Sequence, residues 1–282
     1  MRRKPNIILG VVFEDVSLAN QIRATEENLW ALWQRFGLTS GGALHNEGGA
    51  LWFDTVLTFL PYNGVLRFQP NGDPEPLVDR IFAHYAERGV PFMWVVHPST
   101  EPSHLSDLLE ARGMTLIEQM PGMTMDLANL PPLDPIPDGV EVREATSEEE
   151  LTLAQELIAW RWHVPEDSQE QHLEMALSFG VGSPGSPMRC WLALIDGKPV
   201  SKALLNLDAG SAGIHGVATK PEARGKGLAR ILTLNALHTA RESGYRIAML
   251  HSSPMARSLY EKIGFRQVSE FRVYASGGTF HV

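Results

Sequence analysis

The stretch from Val217 to Ala229 constrains the fold more than any other. A β-branched run, Val217-Ala218-Thr219, stops at Pro221, an Arg224-Gly225-Lys226-Gly227 turn follows, and an apolar-periodic helix starts at Leu228-Ala229. A strand, a glycine turn and a helix N-terminus in that order make a socket for a phosphate-bearing ligand. The turn leaves bare N–H groups to approach the anion, and the helix dipole favours its charge. Arg224 and Lys226 add cations at the same place.

A chain of 282 residues, 44% of them hydrophobic, has room for about two domains with a core in each. The net charge of −9 is uneven: residues 1–137 hold nine basic against sixteen acidic side chains, residues 138–282 fifteen against seventeen. Neither half is basic, so no nucleic-acid partner is expected. The acidity of the first half reads as a solvated surface. A single cysteine, Cys190, excludes an internal disulfide and a multi-cysteine metal site. The histidines and carboxylates lack metalloprotease-like spacing, so no metal is expected either. Met1-Arg2-Arg3-Lys4 is basic, but the apolar run Ile7–Phe13 is short, lacks a small-residue cleavage site and meets Glu14-Asp15. No apolar run reaches the ~20 residues of a membrane span. The expectation is a soluble, cytoplasmic protein with no membrane partner.

Four prolines and a glycine between Leu130 and Gly139 deny both helix and central strand. They set a linker at 131–139 between a first domain, 1–130, and a second, 140–282. The second half begins with a strand at Val140–Glu144 and a helix capped from Thr146-Ser147-Glu148-Glu149 that runs to Trp160. A helix over Ser168–Leu177 precedes strands Arg189–Ile195 and Pro199–Leu207, joined by the hairpin pair Asp196-Gly197. Strand Gly213–Thr219, helix Gly227–Ser243, strand Arg246–Leu250 and helix Pro254–Ile263 follow, then a strand pair within Arg266–Tyr274. This is an α+β pattern.

The first half carries a faded copy of the second. Gly89–Val96 with Leu108–Met114 corresponds to Gly244–Leu250 with Leu259–Phe265, and the glycines stand 24 and 20 residues apart (Gly89 to Gly113, Gly244 to Gly264). Where the phosphate turn should stand, the first copy has Phe68–Pro76. Its three prolines remove N–H donors, and its Asp73 and Glu75 repel an anion. Leu109 takes the place of Tyr260. The first copy is therefore expected to bind no such ligand.

Arg224-Gly225-Lys226-Gly227-Leu228-Ala229 resembles the Arg/Gln-x-x-Gly-x-Gly/Ala signature of the GNAT superfamily of acyl-CoA-dependent N-acetyltransferases. Leu259-Tyr260-Glu261-Lys262-Ile263-Gly264-Phe265 is similar to that family's Leu-Tyr-Glu-Lys-x-Gly-Phe helix. The resemblance implies two tandem GNAT-like domains, each a mixed, mostly antiparallel sheet flanked by helices, with a degenerate N-terminal copy. It also implies acetyl-CoA as co-substrate. Amides from Gly225 to Ala229 would hold its pyrophosphate, with Arg224 and Lys226 adding charge. Its pantetheine arm would lie along strand Gly213–Thr219, contacting Val217, Ala218 and Thr219, and the N–H of Val217 or Ala218 would polarise the thioester carbonyl. Ser253 stands where the family commonly has a cofactor-contacting asparagine, and Gly213 where members often have glutamate.

The implied reaction moves acetyl directly to a primary amine of a small molecule or peptide. Tyr260 matches the family's tyrosine and is expected to protonate the departing thiolate. His215, two residues beyond Gly213 and on the same strand face, is the expected base, with His251 second to it. The aromatic turn carrying Trp160, Trp162 and His163 is expected to line the acceptor pocket. A non-catalytic acyl-CoA-binding regulator or scaffold is the alternative. The first half is left to wall the cleft, to support a homodimer or to stabilise its neighbour.

Overall fold

The computed structural model describes residues 12–277, so Met1–Val11, with the basic start and most of the apolar run beside it, lie outside the described residues. The chain folds as two compact units. Unit 1 takes the chain up to Leu29 with Gly122–Val268, and unit 2 takes Trp30–Pro121 with the chain from Ser269 on. These units differ from the contiguous halves expected from the proline break. Three pieces cause the difference: most of the first helix, α1 (Leu18–Trp33), and residues 122–130 belong with the second half, and the end of the last strand belongs with the first.

In unit 2 the strands are β1 (Ala43–Glu47), β2 (Ala50–Asp54), β3 (Gly64–Phe68) and β4 (Met93–Val96). β1–β2 and β2–β3 pair antiparallel, whereas β3–β4 pair parallel across helix α2 (Glu75–Arg88). Helix α3 (Leu105–Ala111) follows, then strand β5 (Thr115–Asp126). The core gathers Trp52, Phe68, Ile81, Tyr85, Trp94, Leu105 and Leu109. Leu109 is thus a fully buried packing residue, as its apolar type requires.

Unit 1 repeats the plan. Strands β6 (Val140–Ala145), β7 (Met188–Ile195), β8 (Lys198–Asp208) and β9 (Ser211–Thr219) form an antiparallel series. β9 then pairs parallel with β10 (Ile247–His251) across helix α6 (Leu228–Glu242). Helices α4 (Glu148–Arg161) and α5 (Gln169–Leu177) lie between β6 and β7, and α7 (Arg257–Ile263) precedes β11 (Arg266–Ala275). The segment expected to hold a strand pair is therefore one continuous strand. The strand after each glycine stop is exchanged: residues 122–126 of β5 pair with β10, and residues 272–275 of β11 pair with β4.

Local chemistry explains the elements around the candidate site. Ser147 Oγ accepts the Glu150 amide at 3.2 Å, and Glu150 Oε2 accepts the amides of Ser147 at 3.1 Å and Thr146 at 2.8 Å. This capping box fixes the start of α4, and three glutamates in its first turn suit the dipole. Asp196 and Gly197 both take positive φ, 51° and 72°, the twist a two-residue hairpin needs. The β8–β9 hairpin uses Ala209 at φ 48° and Gly210, a turn that the sequence marks weakly because alanine is uncommon there. The proline linker has no regular structure. Asp134 accepts from Arg230 Nε at 2.6 Å, and the Pro131 carbonyl accepts from His238 Nε2 at 2.9 Å, which ties the linker to α6.

Strand parity sorts the unit 1 sheet into two faces. Ala193, Ala203, Leu205, Leu207, Ala212 and Ile214 share a core with Leu228, Ile231, Leu232 and Leu234 of α6. The opposite face carries Cys190, Lys202, Leu204 and His215, placed together by the pairings Cys190↔Leu204, Leu204↔His215 and Lys202↔Ala218. Among the described residues no helix is long and apolar enough to cross a membrane.

Candidate active site

The turn before α6 has the form an anion socket requires. Gly225 and Gly227 sit at φ 78° and 76°, where L side chains are strained, and a Cβ on either would meet nothing within 4 Å. The glycines therefore serve backbone shape and leave open space above it. Gly227 caps α6 without a side-chain bond, the first turn has no acidic residue, and the first intrahelical bond runs from Ile231 N to Gly227 O at 3.0 Å. The amides of Leu228, Ala229 and Arg230 thus lack intrahelical partners and face the start of the dipole. Arg224, Gly225, Lys226 and Gly227 are all exposed, and Arg224 Nε reaches back to the Thr219 carbonyl at 3.3 Å. In unit 2 the equivalent helix starts after Pro74, and Asp73 Oδ1 takes the amide of Glu75 at 3.1 Å. That helix start is occupied by the chain's own acid.

Beside the turn, β9 parts from β10. Their parallel pairing covers Ala212, Gly213 and Ile214 and stops at Leu250, while β9 continues to Thr219 bonded only to β8. The β8–β9 register slips between Lys202 and Leu204, so Gly216 and Val217 together oppose Ala203. This is a bulge, with Gly216 at φ 51°. Lys220 N bonds Val200 O at 2.9 Å, so by alternation the amide of Ala218 also turns to β8. The amides of Val217 and Thr219 turn the other way, into the gap left by β10. The bulge also keeps His215 and Ala218 on one face although they are three residues apart.

His215 is held by a residue the sequence reading missed. Asn28, on α1, is fully buried and donates Nδ2–H to the carbonyls of Asp208 at 2.9 Å, Ser211 at 3.1 Å and Asn206 at 3.2 Å. Its Oδ1 is thereby an acceptor, and His215 Nε2–H donates to it at 2.9 Å, which leaves Nδ1 as the lone-pair nitrogen. A Cβ on Gly213 would stand 1.9 Å from Asn28 Oδ1 and 2.4 Å from His215 Nε2, so no side chain fits there. Asn28 fills the space that a larger residue at 213 would need. Burial pushes the His215 imidazole down to about 4, so it is neutral at pH 7 and weakly basic. Nothing near Asn28 in sequence signals this role, since the contact spans 187 residues.

Tyr260 lies on α7, buried in the same core as Leu228 and Ile231, with Val217 packed against that core. Its ring meets Phe265 edge-on at 6.0 Å, and its hydroxyl has no hydrogen bond among the described residues. Burial raises its pKa above the ordinary value, which keeps the proton on the oxygen. Ser253 lies after β10, half-buried, and its carbonyl accepts the Ala256 amide at 3.1 Å. Trp160 and His163 are exposed at the end of α4, and Trp162 is half-buried under the Arg161 guanidinium, 5.3 Å from its ring centroid. Ile158, two residues before Trp160, would stand 3.3 Å from a Cβ on Gly216, so the end of α4 covers the bulge.

The fold also assembles a cluster that spacing did not reveal. His45, Asp54 and His84 each offer one ligand atom, all within 4.8 Å of one another. Asp54 is buried, and its Oδ2 takes both Nε2 atoms at 2.9 Å. Arg88 Nε stands 3.5 Å from Oδ1. The guanidinium already balances the carboxylate, so a cation would gain little charge there.

The comparisons agree with this geometry. The model of the acetyltransferase (GNAT) family matches residues 152–265. A mycothiol acetyltransferase of Actinosynnema mirum is 27% identical over 192 residues, which cover 64% of this chain and 62% of that protein. Two solved structures share the fold. A GCN5-related N-acetyltransferase from Kribbella flavida matches with a TM-score of 0.67 at 19% identity, covering 90% of this chain and 96% of its own. A tandem GNAT protein from the clavulanic acid biosynthesis pathway matches with a TM-score of 0.59 at 15% identity over 96% and 98%. The open glycine turn, the parted strands and the α7 tyrosine thus sit in a chain that shares the fold of a tandem GNAT protein and whose residues 152–265 match the model of the acetyltransferase (GNAT) family.

Proposed function

We propose that the chain transfers an acetyl group from acetyl-CoA to the primary amine of a small molecule or peptide. The observation that carries this reading is the parting of β9 from β10 beyond Ile214, directly ahead of an open glycine turn at a helix N-terminus. The residues present fit the co-substrate: unpaired amides at 228–230 and Lys226 for a diphosphate, and a free strand edge at Val217 and Thr219 for an amide-bearing arm. Acetyl-CoA supplies an acyl thioester carbon open to attack by an amine. Strand alternation favours Val217 over Ala218 as the donor to the thioester oxygen. Tyr260, protonated at neutral pH, is suited to give its proton to the departing sulfur. Trp160, Trp162 and His163 stay as candidates for the acceptor side, since the end of α4 covers the bulge. An acceptor of the mycothiol kind is the first to test, given the name of the curated relative.

A non-catalytic acyl-CoA-binding role remains the competing reading, and the weak basicity of His215 favours it. Thiol release from acetyl-CoA across a panel of primary amines separates the two. Release with any amine supports the transferase. Saturable acetyl-CoA binding without release across the panel supports the binder.

A further inference from the structure

Lys202 is the one buried lysine among the described residues. It sits mid-strand on β8, 3% exposed, and pairs across the sheet with Ala218. No carboxylate among the described residues makes an ion pair with it. The titratable groups around it are Cys190 of β7 and His172 of α5, with His215 on the same face of β9. None of these carries a negative charge at neutral pH, because burial raises the Cys190 thiol and lowers both imidazoles to about 4. Its Nζ lies 4.0 Å from where a Cβ on Gly216 would stand, at the bulge next to the Val217 amide. A buried ammonium without a counter-charge is costly, and the same burial lowers its pKa.

We propose that Lys202 is the base that takes the acceptor's proton, resting on the acetyl-transfer reading above. Its Nζ stands beside the bulge without an ion-pair partner among the described residues, whereas the Nδ1 lone pair left to His215 belongs to an imidazole whose pKa burial lowers to about 4. The acceptor nitrogen bonds the acyl carbon, the carbon–sulfur bond breaks, and the nitrogen's surplus proton passes to Lys202 Nζ. The sulfur keeps the bonding pair and takes the Tyr260 hydroxyl proton. Exchange with water returns Lys202 and Tyr260 to their starting forms.

The test uses the full chain with its lysines labelled by carbon-13 at Cε, followed by NMR from pH 6 to 11. The Lys202 signal is assigned by its loss in Lys202→Met, or in Lys202→Arg if the first variant does not fold. It is expected to titrate well below the ~10.4 of an ordinary lysine and to shift when acetyl-CoA saturates the protein. With the most active amine of the panel, Lys202→Met is expected to lose about 100-fold in kcat at unchanged acetyl-CoA affinity, and to lose the acid limb of the kcat profile. An ordinary titration, or a variant with wild-type kcat and pH profile, overturns the role of Lys202 and leaves the transferase reading intact. Failure of wild-type protein to take up acetyl-CoA overturns the transferase reading, and this proposal falls with it.

Discussion

At the scale of single residues, two buried groups make separate statements about chemistry and stability. Tyr260 keeps its proton because burial disfavours the phenolate, so it can act only as a donor at neutral pH. Tyr260→Phe is expected to lower turnover at least tenfold while the dissociation constant for acetyl-CoA changes less than threefold, as steady-state rates and calorimetry would show. Equal turnover in the variant at every pH would remove Tyr260 from the reaction. His172 concerns stability. Burial, with a smaller effect of Lys202, brings its pKa from 6.5 to about 4. The unfolded chain binds a proton there between those values and the folded chain does not, so stability falls as pH drops below 6.5 and levels off near 4. The full effect is about 3 kcal/mol. Denaturant titrations from pH 7 to 4 should show a shallower fall in His172→Gln, and an identical fall would contradict this. Tyr260 was legible in the sequence because it sits within a fixed helix signature. Asn28 and Lys202 were not, because what makes them special is the lack of room at Gly213 and the lack of an ion pair at Lys202 among the described residues.

At the scale of elements, most strands and helices of the second half were legible from periodicity and punctuation, although the pair expected within Arg266–Tyr274 is one strand. Ser147, the Asp196-Gly197 pair and the glycine after α6 each put a boundary where local chemistry demands one. Asp73, singled out in the sequence as an acid at the first copy's turn, accepts the Glu75 amide at the start of that helix at 3.1 Å. What the sequence hid is which strands pair. Strands such as β5 and β10 carry no label for a partner more than a hundred residues away, so the exchange of β5 and β11 could not be read. This has a direct consequence. A fragment of residues 140–282, cut at the proline linker, lacks the β5 segment that pairs with β10 and the Asn28 amide that satisfies three carbonyls of unit 1. It is expected to be unfolded or aggregated alone, by circular dichroism and amide-proton dispersion, and to fold when co-expressed with residues 1–139. A cooperatively folded, monomeric fragment would show that the exchange is dispensable.

At the scale of the whole molecule, one architectural unit occurs twice with a parallel strand pair that parts early in each, and only one copy has the open glycine turn and a tyrosine where the other has Leu109. The proline linker lies inside unit 1, which runs on from Gly122, so the compact units do not follow the two halves of the sequence. The repeat read from glycine spacing does not show how each unit is completed, because that depends on strand pairing. The account stands or falls on whether the open turn at 225–229 holds a diphosphate-bearing thioester. Isothermal titration of the folded full-length chain with acetyl-CoA tests this directly, alongside Gly225→Val, which forces a branched side chain onto φ 78° in open space. The account predicts one site per chain in the wild type and at least tenfold weaker binding in a Gly225→Val protein of unchanged fold. No uptake by the wild type, or equal uptake by both, would contradict it.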